Sequence, residues 1–185
     1  MNIPKQYPLY TCFVFLLMSI FVPVSYAIEN TPKGERIQEQ SFKTNFKHFK
    51  NVMFSSYNDF ESGPGKVHFY LFRNNKIVYE FPEFPVDSGS WSFENVKAIS
   101  FKDINYDGLK DVIVIAEYIT GIGPNGMIPF LVKGVYLQGK GKFVSAEKIS
   151  KLLSSEKNYS NLKTISSIVK YLKTLDAKTL NMDVK

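Results

Sequence analysis

Apolar and polar residues alternate along much of this chain with a period of two, the spacing of a strand that buries one face. Lys66-Val67-His68-Phe69-Tyr70-Leu71-Phe72-Arg73 and Lys76-Ile77-Val78-Tyr79-Glu80-Phe81 are two such runs, separated only by Asn74-Asn75. Asparagine tolerates positive φ, so the pair predicts a hairpin. Pro82 and Pro85 stop the second run, and Asp87-Ser88-Gly89-Ser90 marks a turn. Upstream, Ser41–Phe46 and Asn51–Tyr57 read as short strands, with a helix over Ile37–Phe49 as an alternative, and Asp59–Gly65 reads as a loop. Downstream, Trp91–Phe93 leads into a strand that includes Val96–Phe101, and Asp111–Ile119 is β-branched and apolar enough to be a buried strand. Phe130–Leu137 and Lys142–Val144 are further strands around the turn Gly139-Lys140-Gly141.

Towards the C-terminus the period changes. Ala146–Leu153 predicts a short helix, and Leu162, Ile165, Ile168, Val169, Leu172 and Leu175 recur at intervals of three and four, lining one face of a second. Ser160 or Asn161 is placed to cap it. The polar stretch 28–39, with Pro32 and Gly34, reads as a loose leader. Together these patterns predict an α+β fold: one domain over 40–176, a mainly antiparallel sheet, a C-terminal amphipathic helix and a tail over 177–185. No repeat is visible, which argues against a propeller.

The first 27 residues have the form of an export signal. Lys5 supplies the positive charge, Cys12–Val22 the apolar core, and Ser25-Tyr26-Ala27 the small residues at −3 and −1. An apolar run this short falls below the roughly 20 residues that span a bilayer. Cleavage after Ala27 would leave Ile28–Lys185 and remove the single cysteine, so neither a disulfide nor thiol chemistry is expected in the mature, periplasmic or secreted domain. Loss of Lys5 also takes the formal net charge from +6 to +5. The basicity is nearly all lysine, scattered without aromatic interleaving, so it does not indicate nucleic-acid binding.

The candidate chemistry lies between two strands. Asp103-Ile104-Asn105-Tyr106-Asp107-Gly108-Leu109-Lys110-Asp111 sets oxygen-bearing side chains at loop positions 1, 3, 5 and 9, with a glycine at position 6. Ca²⁺ takes six to eight oxygens at about 2.3–2.6 Å, and a loop that turns back on itself can gather them. Three carboxylates within nine residues repel one another unless a cation offsets them. Position 12 is Val114 instead of the glutamate of an EF-hand, and strands instead of helices flank the loop. Two readings stand: a strand-loop-strand calcium site, or an Asx-rich turn that needs no metal. The spacing resembles the calcium loops of FG-GAP and integrin-α-type repeats. That resemblance implies Asp103, Asn105, Asp107 and Asp111 as side-chain ligands and Leu109 as a carbonyl ligand.

No nucleophile and base stand together. His48 and His68 belong to unrelated segments, and nothing in the spacing of Glu80, Glu83, Asp87 and Glu117 pairs them for acid–base work. Gly121-x-Gly123-x-x-Gly126 has dinucleotide-binding spacing, but a strand instead of a helix follows it, so no phosphate site is expected. The segment Ile122-Gly123-Pro124-Asn125-Gly126-Met127 has two readings, a partner-binding loop with apolar tips or a hairpin connection folded back on the core.

The succession Phe101–Ile115, then Gly134-Val135-Tyr136-Leu137, then Gly141-Lys142-Phe143-Val144 is similar to a group of small exported bacterial proteins. Some of these are periplasmic lysozyme inhibitors, including calcium-binding ones associated with type IV secretion systems. The resemblance implies a periplasmic, calcium-binding domain that uses its loops to block a cell-wall hydrolase, and the charge of +5 suits a variant of that non-enzymatic class, an immunity-type protein against a toxin with an acidic surface. The alternative from another class is a calcium-stabilised envelope hydrolase with carboxylate catalysis.

Overall fold

The computed structural model describes residues 31–61, 64–85 and 90–180. The expected signal 1–27, the start of the leader, Asp87 and the last five residues lie outside them. Among the described residues eight strands come first: β1 Glu35–Thr44, β2 Val52–Asp59, β3 Lys66–Arg73, β4 Lys76–Glu80, β5 Ser92–Lys102, β6 Asp111–Ile119, β7 Phe130–Gln138 and β8 Phe143–Ser145. Four short helices follow: α1 Glu147–Ser154, α2 Glu156–Tyr159, α3 Ile165–Leu172 and α4 Ala177–Leu180. The strands form two antiparallel meanders, β1-β2-β3-β4 and β5-β6-β7-β8.

Alternation along the strands explains the layers. Phe54, Phe69 and Leu71 of the first sheet meet Val112, Val114 and Tyr136 of the second in an aromatic-rich core. Phe69 and Phe81 each set a ring against Tyr136, at 6.0 and 5.2 Å between centroids. The opposite face of the second sheet presents Ile113, Ile115, Val135 and Leu137 to Ile149, Leu153, Ile168, Leu172 and Leu180. The strand β6 is therefore covered on both sides, as its apolar run requires. A polar clamp ties the sheets together: the Tyr79 hydroxyl accepts the Phe143 amide at 2.7 Å and donates to the Phe143 carbonyl at 3.1 Å.

The N-terminal expectation needs correction. The strand β1 begins at Glu35, inside the expected leader, and no helix forms over Ile37–Phe49. Arg36 and Ile37 pair with Tyr57 and Ser56, and pairing resumes at Ser41 after a bulge. An edge strand can be held by its backbone ladder with few inward apolar residues, which is why its polar composition misleads. At the other end the amphipathic stripe is real but the helix is shorter. Thr164 caps α3 by accepting the Ser167 amide at 3.1 Å, and the Ser167 hydroxyl takes the Thr164 amide at 3.2 Å. This reciprocal pair starts the helix three residues beyond Asn161. The expected tail includes α4, whose Leu180 is fully buried against the helix layer. Among the described residues no helix is long and apolar enough to cross a membrane.

Candidate metal centre and recognition loop

The loop from Asp103 to Lys110 joins β5 to β6, a connection whose ends are fixed by the pairing of Lys102 with Asp111. Two residues turn it left-handed, Tyr106 at φ 62° and Gly108 at φ 79°. Glycine adopts such a φ without penalty, whereas tyrosine does so under steric strain. The carboxylates then serve the loop's own backbone. Asp103 Oδ2 accepts the Gly108 amide at 2.9 Å, and Asp107 Oδ1 accepts the Leu109 amide at 2.8 Å. The Asn105 side-chain amide donates to Asp107 Oδ2 at 3.2 Å. Asp103 and Asp107 stand at the exposed rim, whereas Ile104 and Asn105 are buried.

Asp111 behaves differently. It is fully buried as the first residue of β6, with Oδ2 accepting the Ile104 amide and Oδ1 the Gln138 amide, both at 2.9 Å. Burial pushes its pKa up to about 7, the two amides oppose that, and the negative charges of Asp107 and Asp103 add to it. As the side chains stand, no group of three or more His, Cys, Asp or Glu among the described residues is arranged to hold a metal ion. The donor set still fits a hard cation. Asp103, Asn105, Asp107 and Asp111 can each offer a side-chain oxygen to such an ion, and carboxylate oxygens engaged by one amide retain lone pairs. The three carboxylates lie close enough for their charges to act on one another.

The connection at the opposite end of β6, over 120–129, carries the second candidate. Its backbone is braced internally: Gly121 donates to the Gly126 carbonyl at 2.9 Å, Gly126 to Gly123 at 3.1 Å, and Ile128 to Asn125 at 3.0 Å. The apolar residues of this segment do not fold back on the core. Ile122 and Met127 are each 74% exposed and Ile128 62%. Pro124 and Asn125 are exposed between them, and Gly126 alone is buried.

The residues weighed for catalysis do not converge. Glu83 pairs with Lys66 at 3.0 Å and Glu117 with Lys97 at 3.3 Å. His68 faces Asp59 across 3.4 Å, and His48 is exposed in the β1–β2 connection. The link from Asp111 to Gln138 and the strained Tyr106 had no signal in the sequence: the first joins residues 27 apart, the second is a φ that tyrosine rarely takes. No family model, curated protein or solved structure matches the chain.

Proposed function

We propose that this chain is an exported, non-enzymatic binding domain that docks its 120–129 loop on a protein partner, a cell-wall hydrolase or toxin. The observation that supports this best is the outward projection of Ile122, Met127 and Ile128 from a loop whose backbone is hydrogen-bonded to itself. Apolar side chains held out by a braced loop lose little conformational freedom on docking and bury apolar area when a partner covers them. The scattered carboxylates, two of them in ion pairs with lysines, favour binding over acid–base catalysis. With the formal charge of +5 expected once the export signal is removed, association is steered toward a partner with an acidic surface.

Calcium enters this reading as a structural ion at the other end of β6. Bound there, it supplies positive charge that offsets Asp103, Asp107 and Asp111. The residues themselves curl the loop, orient Asn105 inward and tie β6 to its neighbours. Sites of the extracellular type bind with Kd of about 10⁻⁴–10⁻³ M. At calcium near or several-fold above such a Kd, mass action adds about 0.5–1.5 kcal/mol, enough to order a loop without creating the fold.

Purified protein incubated with peptidoglycan tests the proposal. Failure to hydrolyse it, with suppression of an added wall hydrolase, is the expected result. Unaided hydrolysis would replace the binding reading with the enzymatic one.

A further inference from the structure

The first sheet has a second face, turned away from the core. Because side chains alternate, Phe54 and Leu71 point into the core while their neighbours Met53, Tyr57 and Phe72 point out. A cavity of about 830 Å³ opens on that outer face. Its floor is aromatic: Tyr57 and Phe72 stack at 6.0 Å with 30° between their planes. Arg36 and Lys43 of β1 line one side, and among the described residues no carboxylate lines it. The connections β1–β2 and β3–β4 lie at the same end of this meander and bring Asn45, Asn51, Asn74 and Asn75 to the rim. Left-handed backbone at Asn51, Asn74 and Asn75 fixes these tight turns.

Each group suits one feature of an acidic sugar chain. The electron-rich face of an aromatic ring attracts the slightly positive C–H face of a pyranose. Asparagine side chains both donate and accept, matching neighbouring hydroxyls. A guanidinium recognises a carboxylate through paired hydrogen bonds. Arg36 Nε already donates to Ser41 Oγ at 3.0 Å, which holds the head group in place and leaves its terminal nitrogens for a ligand. The proximity of Arg36 to the Tyr57 hydroxyl is felt electrostatically: burial raises the phenol's pKa and Arg36 partly lowers it again. The volume falls within the roughly 300–1,000 Å³ typical of ligand sites.

We infer that this groove binds a short carboxylate-bearing oligosaccharide, with Tyr57 and Phe72 as stacking floor, Arg36 and Lys43 as anion contacts, and the asparagines as hydroxyl partners. An acidic peptide would share the charge preference. It would most readily add to the β1 edge, however, and the bulge between Ile37 and Ser41 interrupts that ladder. The inference uses a different face from the 120–129 loop and stands or falls without it.

The test is titration of the purified protein with three probes: hyaluronan tetrasaccharide, neutral chitotetraose and tetraglutamate. Backbone amide shifts of Asn74 and Asn75 report location. The hyaluronan fragment is expected to bind, shift these amides, and bind about tenfold or more weakly to Arg36→Gln or Lys43→Gln, a tenfold change being about 1.4 kcal/mol. Both side chains are exposed, so neither substitution threatens folding. Equal or tighter binding of tetraglutamate, equal binding of chitotetraose, absence of saccharide binding, or binding indifferent to both substitutions would each overturn the inference.

Discussion

Asp111 accepts the backbone amide of Gln138 at 2.9 Å, so a carboxylate at the start of β6 holds the last residue of β7. Its other oxygen holds Ile104 in the preceding loop. The side chain is thus a buried junction between loop and sheet, whether or not a cation is present. Asp103 accepts an exposed loop amide, and Asp107 accepts the Leu109 amide together with the Asn105 side-chain amide, both carboxylates lying at the exposed rim.

This difference predicts a split among the acidic residues. Asp111→Ala orphans two buried amides, each worth about 1–3 kcal/mol, for a loss of about 2–6 kcal/mol even in chelator. Asp103→Ala and Asp107→Ala are expected to cost less than about 1 kcal/mol in chelator, because water can replace an exposed acceptor. Both should abolish the rise in melting temperature that millimolar calcium is expected to give the unaltered protein. Thermal melts with calcium and with chelator check all three.

The loop's left-handed turn gives a second prediction. Gly108 sits at φ 79° with open space where a Cβ would lie, so alanine there meets backbone strain and no clash. Gly108→Ala is expected to cost about 1–2 kcal/mol by chemical denaturation. At Tyr106, φ 62°, replacement by glycine relieves strain and is expected to leave stability unchanged or raise it slightly.

A third prediction concerns the core between the sheets. At Gly134, in the middle of β7, an added Cβ would lie 2.2 Å from the Phe84 ring. That ring lies nearly parallel to Tyr118, 6.2 Å away. Gly134→Ala must push it aside, and overpacking of this kind costs about 1–3 kcal/mol. Pairing the change with Phe84→Leu should recover part of the loss, since the smaller side chain vacates the contested space.

Lys133 provides the pH dependence. Its side chain is fully buried on the helix-facing side of β7, and burial first, then the charge of Lys163, lowers its pKa. Between that lowered value and the ordinary lysine value the unfolded chain binds the proton more tightly than the folded one. Stability conferred by this group therefore rises with pH across the alkaline range below about 10. Denaturation at stepped pH should show the unaltered protein gaining on Lys133→Met as pH rises.

What the sequence revealed followed from local periodicity. The Asn74-Asn75 hairpin, the doubly buried β6 and the apolar stripe through Ile168 and Leu172 are all written in spacings of two or of three and four. What it concealed was set by distant partners. The polar residues from Glu35 enter a strand because β2 offers them a ladder, and Leu180 is buried because the second sheet presents an apolar face to it. The candidate ligands were legible as a spacing. That Asp111 is a buried acceptor and Asp103 an exposed one depended on which amides the fold brings near. The sequence left open whether the apolar tips of 120–129 fold back on the core, and Ile122, Met127 and Ile128 stand exposed instead.

The most direct measurement is hydrolase inhibition by a variant in which Ile122, Met127 and Ile128 are all replaced by serine. These side chains are exposed, so the melting temperature should not move. Suppression of peptidoglycan clearing should fall by at least about tenfold, the effect of losing about 1.4 kcal/mol of binding. Inhibition that persists unchanged in this variant would contradict the account, because the contacts would then lie elsewhere on the molecule.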